Sequence, residues 1–304
     1  KFGSQTEFWQ IGSGINNPVN WAKVVYPGAN SMVAAPDPVL YGKMLRSAAE
    51  ILRKQDSGSR VLLGSLQFSE DCSATPLAYL QALAAGSDWG MFDAAVLDLP
   101  AFITSPEIGK NFACVAGSDA LAEIGAFLKK YGAKPFWAAD LRWERSALEQ
   151  AAATRGTFAE IVEADYLVRQ SALLALIGAE HVLWQPAAGG FALPAQYAFS
   201  NLGNALGGAR LISKNSVENE DNLILRFRRG GQTILLLWKT VGGDTPSPVI
   251  LQDLLGMRAN AFSADAPSLK TKSGAALEVD ALGWSGLMLS ERPVIVLAEH
   301  TDLK

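Results

Sequence analysis

Phe8-Trp9-Gln10-Ile11-Gly12-Ser13-Gly14-Ile15-Asn16 decides how this chain is read. Apolar residues run into glycines and a polar cluster of Ser13, Asn16, Asn17 and Asn20, the profile of a buried parallel strand that delivers its last residues to a functional loop. From here the pattern repeats. An irregular stretch over 17–37 carries Trp21 and Tyr26 and leads to a helix capped by Asp37 with Pro38 in its first turn. Leu40, Met44, Ala48, Ile51 and Leu52 share one face of that helix. Strands are expected over 60–66, 92–98, 134–140 and 181–185, with helices over 76–85, 118–131, 158–177 and 194–206 between and after them. The stretch 141–157 reads as a polar loop. Strands alternating with helices at this spacing predict a parallel sheet with right-handed crossovers.

Beyond Ala209 the period changes. Leu223–Arg228 and Gln232–Trp238 flank Arg229-Gly230-Gly231, a hairpin signature. Val249–Leu251, Ala276–Val279 and Val294–Leu297 are further short strands. The expected fold is therefore α/β: a (β/α) TIM-barrel-type domain over 1–207 with about five visible units, strand ends at Gly12, Leu66, Asp98, Asp140 and Gln185 on one rim, then a β-sandwich over 208–304.

The 304 residues are 49% hydrophobic and 18% charged, the composition of a globular protein. A net charge of -4, a pI near 5.4 and the absence of a Lys/Arg run argue against a nucleic-acid partner. No apolar run reaches the length of about 18 residues that a membrane span needs. The opening Lys1-Phe2-Gly3-Ser4, without an initiator Met or a signal peptide, reads as a mature or trimmed form. Two cysteines and two histidines, without metal-ligand spacing, predict no metal site and no cofactor.

Read together, the strand ends resemble the second half of a clan-A glycoside hydrolase barrel, with glycoside hydrolase family 39 the nearest in pattern. In that clan the fourth strand carries Trp-Glu-Ile-Gly-Asn-Glu or a close variant. Trp9-Gln10-Ile11-Gly12-Ser13-Gly14 is similar, with Ser13 at the Asn and Gly14 at the acid/base Glu. Lys134-Pro135-Phe136-Trp137-Ala138-Ala139-Asp140 resembles the seventh strand and sets Asp140 in the nucleophile's place. Phe92-Asp93 to Asp98 is similar to strand six, and Trp184 to the aromatic that floors the sugar site at strand eight. The visible units would then be strands four to eight. The resemblance implies that an N-terminal segment or a second chain completes the barrel.

Gly14 offers no carboxyl group, whereas a retaining glycosidase needs two carboxyl groups about 5 to 5.5 Å apart. The resemblance thus implies a degenerate glycosidase, a pseudoenzyme that binds or organises an oligosaccharide or polysaccharide with little or no hydrolysis. Two alternatives stay open: an active retaining hydrolase with Asp140 as nucleophile and an acid from elsewhere, such as Glu70 or Asp71, or a structural assembly subunit. Trp9, Trp137 and Trp184 are expected to wall a groove with Asp98 and Asp140 at its floor, Ser13 and Asn16 beside it and Trp21 and Trp143 above it. Gly14 is expected to leave space where the carboxylate would stand. Family habit implies a secreted or periplasmic protein. Cys72 and Cys114 lie in loops after adjacent strands and are either separate thiols or a disulfide, the latter being the expectation for an exported protein.

Overall fold

The computed structural model describes residues 7–21, 35–68, 76–99, 101–106, 117–186, 193–216, 222–240, 246–269 and 274–300. Cys72, Cys114, Glu70 and Asp71 lie outside them, so the expectations for those residues do too. The chain divides into two compact units, Lys1–Arg142 with Leu174–Gln185 and Trp143–Leu173 with Pro186–Lys304.

The first unit is a parallel α/β layer. Its strands are β1 (Phe8–Ile11), β2 (Arg60–Leu63), β3 (Leu66–Gln67), β4 (Ala95–Asp98), β5 (Phe136–Leu141) and β6 (Ala179–Trp184), and its helices α1 (Pro38–Gln55), α2 (Pro76–Ala84) and α3 (Gly117–Lys130). β1 pairs with β2, β3 with β4, β4 with β5 and β5 with β6, all in parallel. A bridge from Leu62 to Ala94 joins the two sets. β2 and β3 are one strand broken at Gly64-Ser65: Leu62 stands opposite Ala94 and Leu66 opposite Leu97, so one extra residue bulges out there. Each strand therefore neighbours the next in chain order, as expected. Among the described residues β1 pairs only with β2, and β6 only with β5.

Alternation sorts the side chains. Leu62, Ala94, Val96 and Ala139 form one buried cluster with Phe8 and Trp137 against it, while Val61, Leu63, Ala95, Leu97, Phe136 and Ala138 are buried on the other face. The first face is concave. Phe8 on β1 meets Trp137 edge-on at 4.8 Å and His181 on β6 at 5.9 Å, and Arg60 pairs with Glu180 at 3.3 Å.

Helix α1 begins as the sequence predicts, with Asp37 accepting from the amides of Val39 and Leu40. Its buried residues, however, are Tyr41, Gly42, Leu45 and Ala49. The apolar face formed by Leu40, Met44 and Ile51 is exposed.

The second unit starts with a helix that the sequence reading missed. α4 (Arg145–Arg155) replaces the expected polar loop. Alanine-rich sequence, an Arg145–Glu149 pair one turn apart and left-handed Gly156 after the last turn support it. α5 (Ala159–Leu176) carries Arg169 and Asp165, both buried. Arg155 reaches Asp165 at 2.6 Å. Burial pushes the Asp165 carboxyl up to about 7 against the pull of that guanidinium. After α6 (Leu193–Leu206) come β7 (Arg210–Ser216), β8 (Asn222–Arg229), β9 (Gln232–Lys239), β10 (Ser247–Leu251), β11 (Met257–Ser263), β12 (Ala275–Leu277), β13 (Ser285–Leu289) and β14 (Val294–His300). Six of them form an antiparallel sheet in the order β12-β11-β14-β9-β8-β7, and β10 and β13 form a separate antiparallel pair. Leu235, Leu237, Val296 and Ala259 of the sheet pack with Val249, Leu251 and Leu289 of that pair. Asn201 of α6 donates to the carbonyls of Ala264 and Ala266.

Candidate functional site

The strand ends of the first unit carry a connected polar network. Ser65, in the bulge between β2 and β3, donates to Asp98 Oδ2 at 2.6 Å. A hydroxyl has one proton. Ser65 Oγ must therefore accept from the Gly14 amide at 2.9 Å and from the Ser13 hydroxyl at 3.1 Å. Gln67 adds a longer donation to the same Asp98 oxygen at 3.4 Å. Asn17 donates to Gln67 Oε1 at 2.8 Å. Asn16, only 2% exposed, accepts from the Gln67 amide and donates to the Gln67 carbonyl, both at 2.7 Å. Its side-chain amide stands where a neighbouring strand's peptide group would stand.

The same loop is fixed from below. Tyr41 OH donates to the Ile11 carbonyl at 2.8 Å and accepts from the Gly64 amide at 2.7 Å. Burial pushes the Tyr41 phenol up to about 12, with the Gly64 amide pulling the other way. Trp21 is half-buried and donates to the Ile15 carbonyl at 2.7 Å, so it fastens the loop.

Gly14 itself overturns one expectation. It is buried with φ +55, a conformation that favours glycine. A Cβ there would meet Asn20 Nδ2 at 2.1 Å and Gln67 Oε1 at 3.0 Å. Asn20 donates to the Gly14 carbonyl at 3.2 Å. The volume expected to be vacant is filled by amide side chains.

Asp140 is the opposite case. It is exposed and has φ +59 without being glycine, a strained backbone of the kind that persists when its surroundings enforce it. A register shift between β5 and β6 accounts for it. Ala138 pairs with Val182 and Leu141 with Trp184, so an extra residue of β5 bulges out and re-aims the side chain. Asp98 pairs with Ala139, which sets the two carboxylates at the ends of adjacent strands. Arg142 does not neutralise Asp140. It donates instead to Gln185 Oε1 at 2.7 Å.

The tryptophans do not form one wall. Trp9 pairs with Val61 on the face opposite Leu62 and Trp137, and Trp184 pairs with Leu141, in step with Val182 and Ala138. Trp137 is on the concave face and packs on His181 at 4.4 Å. Trp143 is 2% exposed and packs on Tyr166 at 5.8 Å, so it offers no open ring. Sequence reasoning missed Ser65 and Gln67, although two polar residues flanking Leu66 at the end of an apolar strand were the available signal. A cleft of about 500 Å³ lies at the other end of β5, lined by Gly125, Lys129, Lys134, Pro135 and Ile177 among others. It is away from this network.

No known protein family's profile matches the chain. No curated protein matches it either. Solved structures do. A glycoside hydrolase family 30 endoxylanase from Clostridium papyrosolvens superposes with a TM-score of 0.61 at 7% identity, over 97% of this chain and 66% of the enzyme. The fold is glycoside hydrolase-like. A family 44 endoglucanase from Clostridium thermocellum gives 0.58 at 9% identity, over 96% and 66%, and a glucosidase from Croceicoccus marinus 0.60 at 11%, over 97% and 69%. The chain spans about two thirds of the length of these clan-A enzymes. At such identities the likeness is one of fold. The likeness does not single out family 39, and the carbohydrate chemistry in those names belongs to those enzymes.

Proposed function

We propose that this protein is a glycoside hydrolase-like saccharide-binding protein that hydrolyses its ligand little or not at all, with the parallel unit forming part of a (β/α) barrel. The observation that carries the reading is Gly14. The strand end that resembles an acid/base position has no carboxyl group, and Asn20 and Gln67 occupy the space one would need. Without an acid to protonate the leaving oxygen, a bound glycoside keeps its bond.

Binding groups remain. Asp98 offers Oδ1 while Oδ2 is held by Ser65 and Gln67, Asp140 is exposed, and Ser13 is at the surface. Fixed hydrogen-bonding groups on a rigid strand rim suit sugar hydroxyls. An exported location belongs to the same proposal.

One observation favours a second reading, hydrolysis through Asp140 with an acid from another segment: the strained, re-aimed backbone at that residue is a device common at active sites. Incubation with xylo- and cello-oligosaccharides separates the two. Binding by calorimetry without release of reducing ends supports the proposal, release of reducing ends supports hydrolysis, and neither result supports the assembly role.

A further inference from the structure

The two-stranded pair β10–β13 is apolar on both of its faces. Val249, Leu251 and Leu289 turn inward to the core shared with the six-stranded sheet, and Ser285 is buried beside them. Alternation therefore sends Pro248, Ile250, Gly286 and Met288 outward, and one step past the ladder the same register sets Gln252 opposite Trp284. Ile250, Met288 and Trp284 are 57%, 56% and 42% exposed. An antiparallel sheet ordinarily shows polar side chains to solvent. None of these outward residues is charged.

The turn ahead of β13 fixes the indole. Asp280 Oδ1 accepts from the amides of Leu282 and Trp284, both at 2.8 Å, the Asp280 amide donates to the Trp284 carbonyl at 2.9 Å, and the Leu254 amide donates to the Gly283 carbonyl at 2.9 Å. Gly283 has φ +80, and a Cβ there would meet the Leu255 amide nitrogen at 2.6 Å, so the turn admits only glycine. The backbone under Trp284 is thus held from both strands, while its ring has no ring partner among the described residues. Two residues on, Gly286 interrupts the ridge: a Cβ there would meet nothing within 4 Å. The outer face is a shallow notch floored by Gly286 and flanked by Ile250, with Trp284 and Met288 at its ends, their Cα atoms about 13 Å apart at the rise of a strand.

We propose that this notch is a second saccharide surface, on which a neutral, linear oligosaccharide lies with the apolar face of one ring against the Trp284 indole and over Gly286. It goes beyond the strand-rim reading and does not depend on it. The chemistry of the face selects the occupant. A pyranose ring is apolar on its faces and polar around its edge, which matches an indole bordered by its own N–H and by the Gln252 amide. A face without charge gives neither an acidic nor a basic ligand any attraction. A membrane surface calls for Lys or Arg around the aromatic residue, whereas the charges that border Trp284 are Asp280 and Asp253, the latter 79% exposed and paired with Arg226 at 3.4 Å. A second copy of the chain needs about 800 Å² from each partner, roughly 20 to 30 residues a side. The notch with its exposed neighbours Leu255 and Leu282 is far smaller than that.

The test is calorimetric titration with cellohexaose and xylohexaose of the wild-type chain and of Asp140→Asn, each alone and with Trp284→Ala, Trp284→Phe or Gly286→Val added. Gly286→Val places its side chain in open space on an outward strand position, so it blocks the notch without disturbing the fold, and urea midpoints check that it does. The expected result is a binding event that survives Asp140→Asn, becomes about tenfold weaker or more with Trp284→Ala or Gly286→Val, and is mostly restored with Trp284→Phe. Binding untouched by Trp284→Ala and Gly286→Val overturns the second surface and leaves the rim reading in place. Binding abolished by Asp140→Asn alone does the same. An absence of binding by wild type overturns both. Tighter binding of oligogalacturonate than of the two neutral ligands overturns the ligand class, and a concentration-dependent dimer of wild type that Trp284→Ala dissociates, with saccharide binding unchanged, assigns the face to a second copy and overturns the proposal.

Discussion

The ends of β1 and β5 resemble the two catalytic strand ends of one enzyme clan, yet they have been resolved in opposite ways. At the end of β1 a glycine takes the left-handed conformation without cost, and Asn16, Asn17, Asn20, Ser65 and Gln67 close around it with their hydrogen bonds made. At the end of β5 an aspartate takes a similar backbone conformation at a cost, and its carboxylate is left exposed. A left-handed position filled by glycine can be packed and satisfied. A position held in strain with a free charge is paid for by something other than stability.

Four substitutions bear on this contrast. The largest effect is expected from Gly14→Glu, because both the positive φ and the contact with Asn20 oppose any side chain. It should cost about 3 kcal/mol or more in urea unfolding, and adding Asn20→Ala should recover part of the loss. A Gly14→Glu protein as stable as wild type would remove the contrast. Tyr41→Phe comes next. It leaves the Ile11 carbonyl and the buried Gly64 amide without their shared partner, at about 2 kcal/mol.

The same residue gives a pH signature. Its folded-state pKa is raised from 10 to about 12, so its contribution is complete below pH 10 and is lost as pH rises towards 12. Wild type should lose stability over that window relative to Tyr41→Phe. Parallel curves would show that the Tyr41 hydroxyl does not secure the loop. A smaller change of opposite sign is expected from Asp140→Gly, which relieves the backbone and should raise stability by about 1 kcal/mol. Destabilisation there would mean that the carboxylate has a structural partner.

Much of the parallel unit was legible because its signals are local: Asp37 and Pro38 at the start of α1, glycines after helices, and apolar runs ending in polar residues. The C-terminal hairpin was legible from Gly230-Gly231 for the same reason. α4 was not legible because the polar character of 141–157 masks the helix propensity of its alanine-rich Arg145–Arg155 segment. β7 and β11 were missed as well, since Arg210–Ser216 and Met257–Ser263 carry too many polar residues to stand out as apolar runs. The tryptophans misled for a geometric reason. Which face each strand residue takes depends on register between strands, and register is set by tertiary pairing, so Trp9 and Trp137 could be read as companions when they lie on opposite faces. The Ser65–Asp98–Gln67 network depends on two neighbouring strand ends meeting across a bulge, of which the polar residues flanking Leu66 were the only local sign. Leu40, Met44 and Ile51 do share one apolar face of α1, but the periodicity of a single helix does not say whether that face is buried.

The most direct test of the central claim is calorimetric titration of wild type and Asp140→Asn with the same xylo- and cello-oligosaccharides, with reducing ends assayed in the cell afterwards. Asn tolerates a positive φ, and Asp140 is exposed with no ion pair among the described residues, so stability should change by no more than about 0.5 kcal/mol. Any loss of binding then reports contact with the ligand. The expected result is saccharide binding by wild type, about tenfold weaker binding by the variant, equivalent to about 1.4 kcal/mol, and no new reducing ends from either. Equal binding by the two proteins, or reducing ends released by wild type and lost in Asp140→Asn, would contradict it.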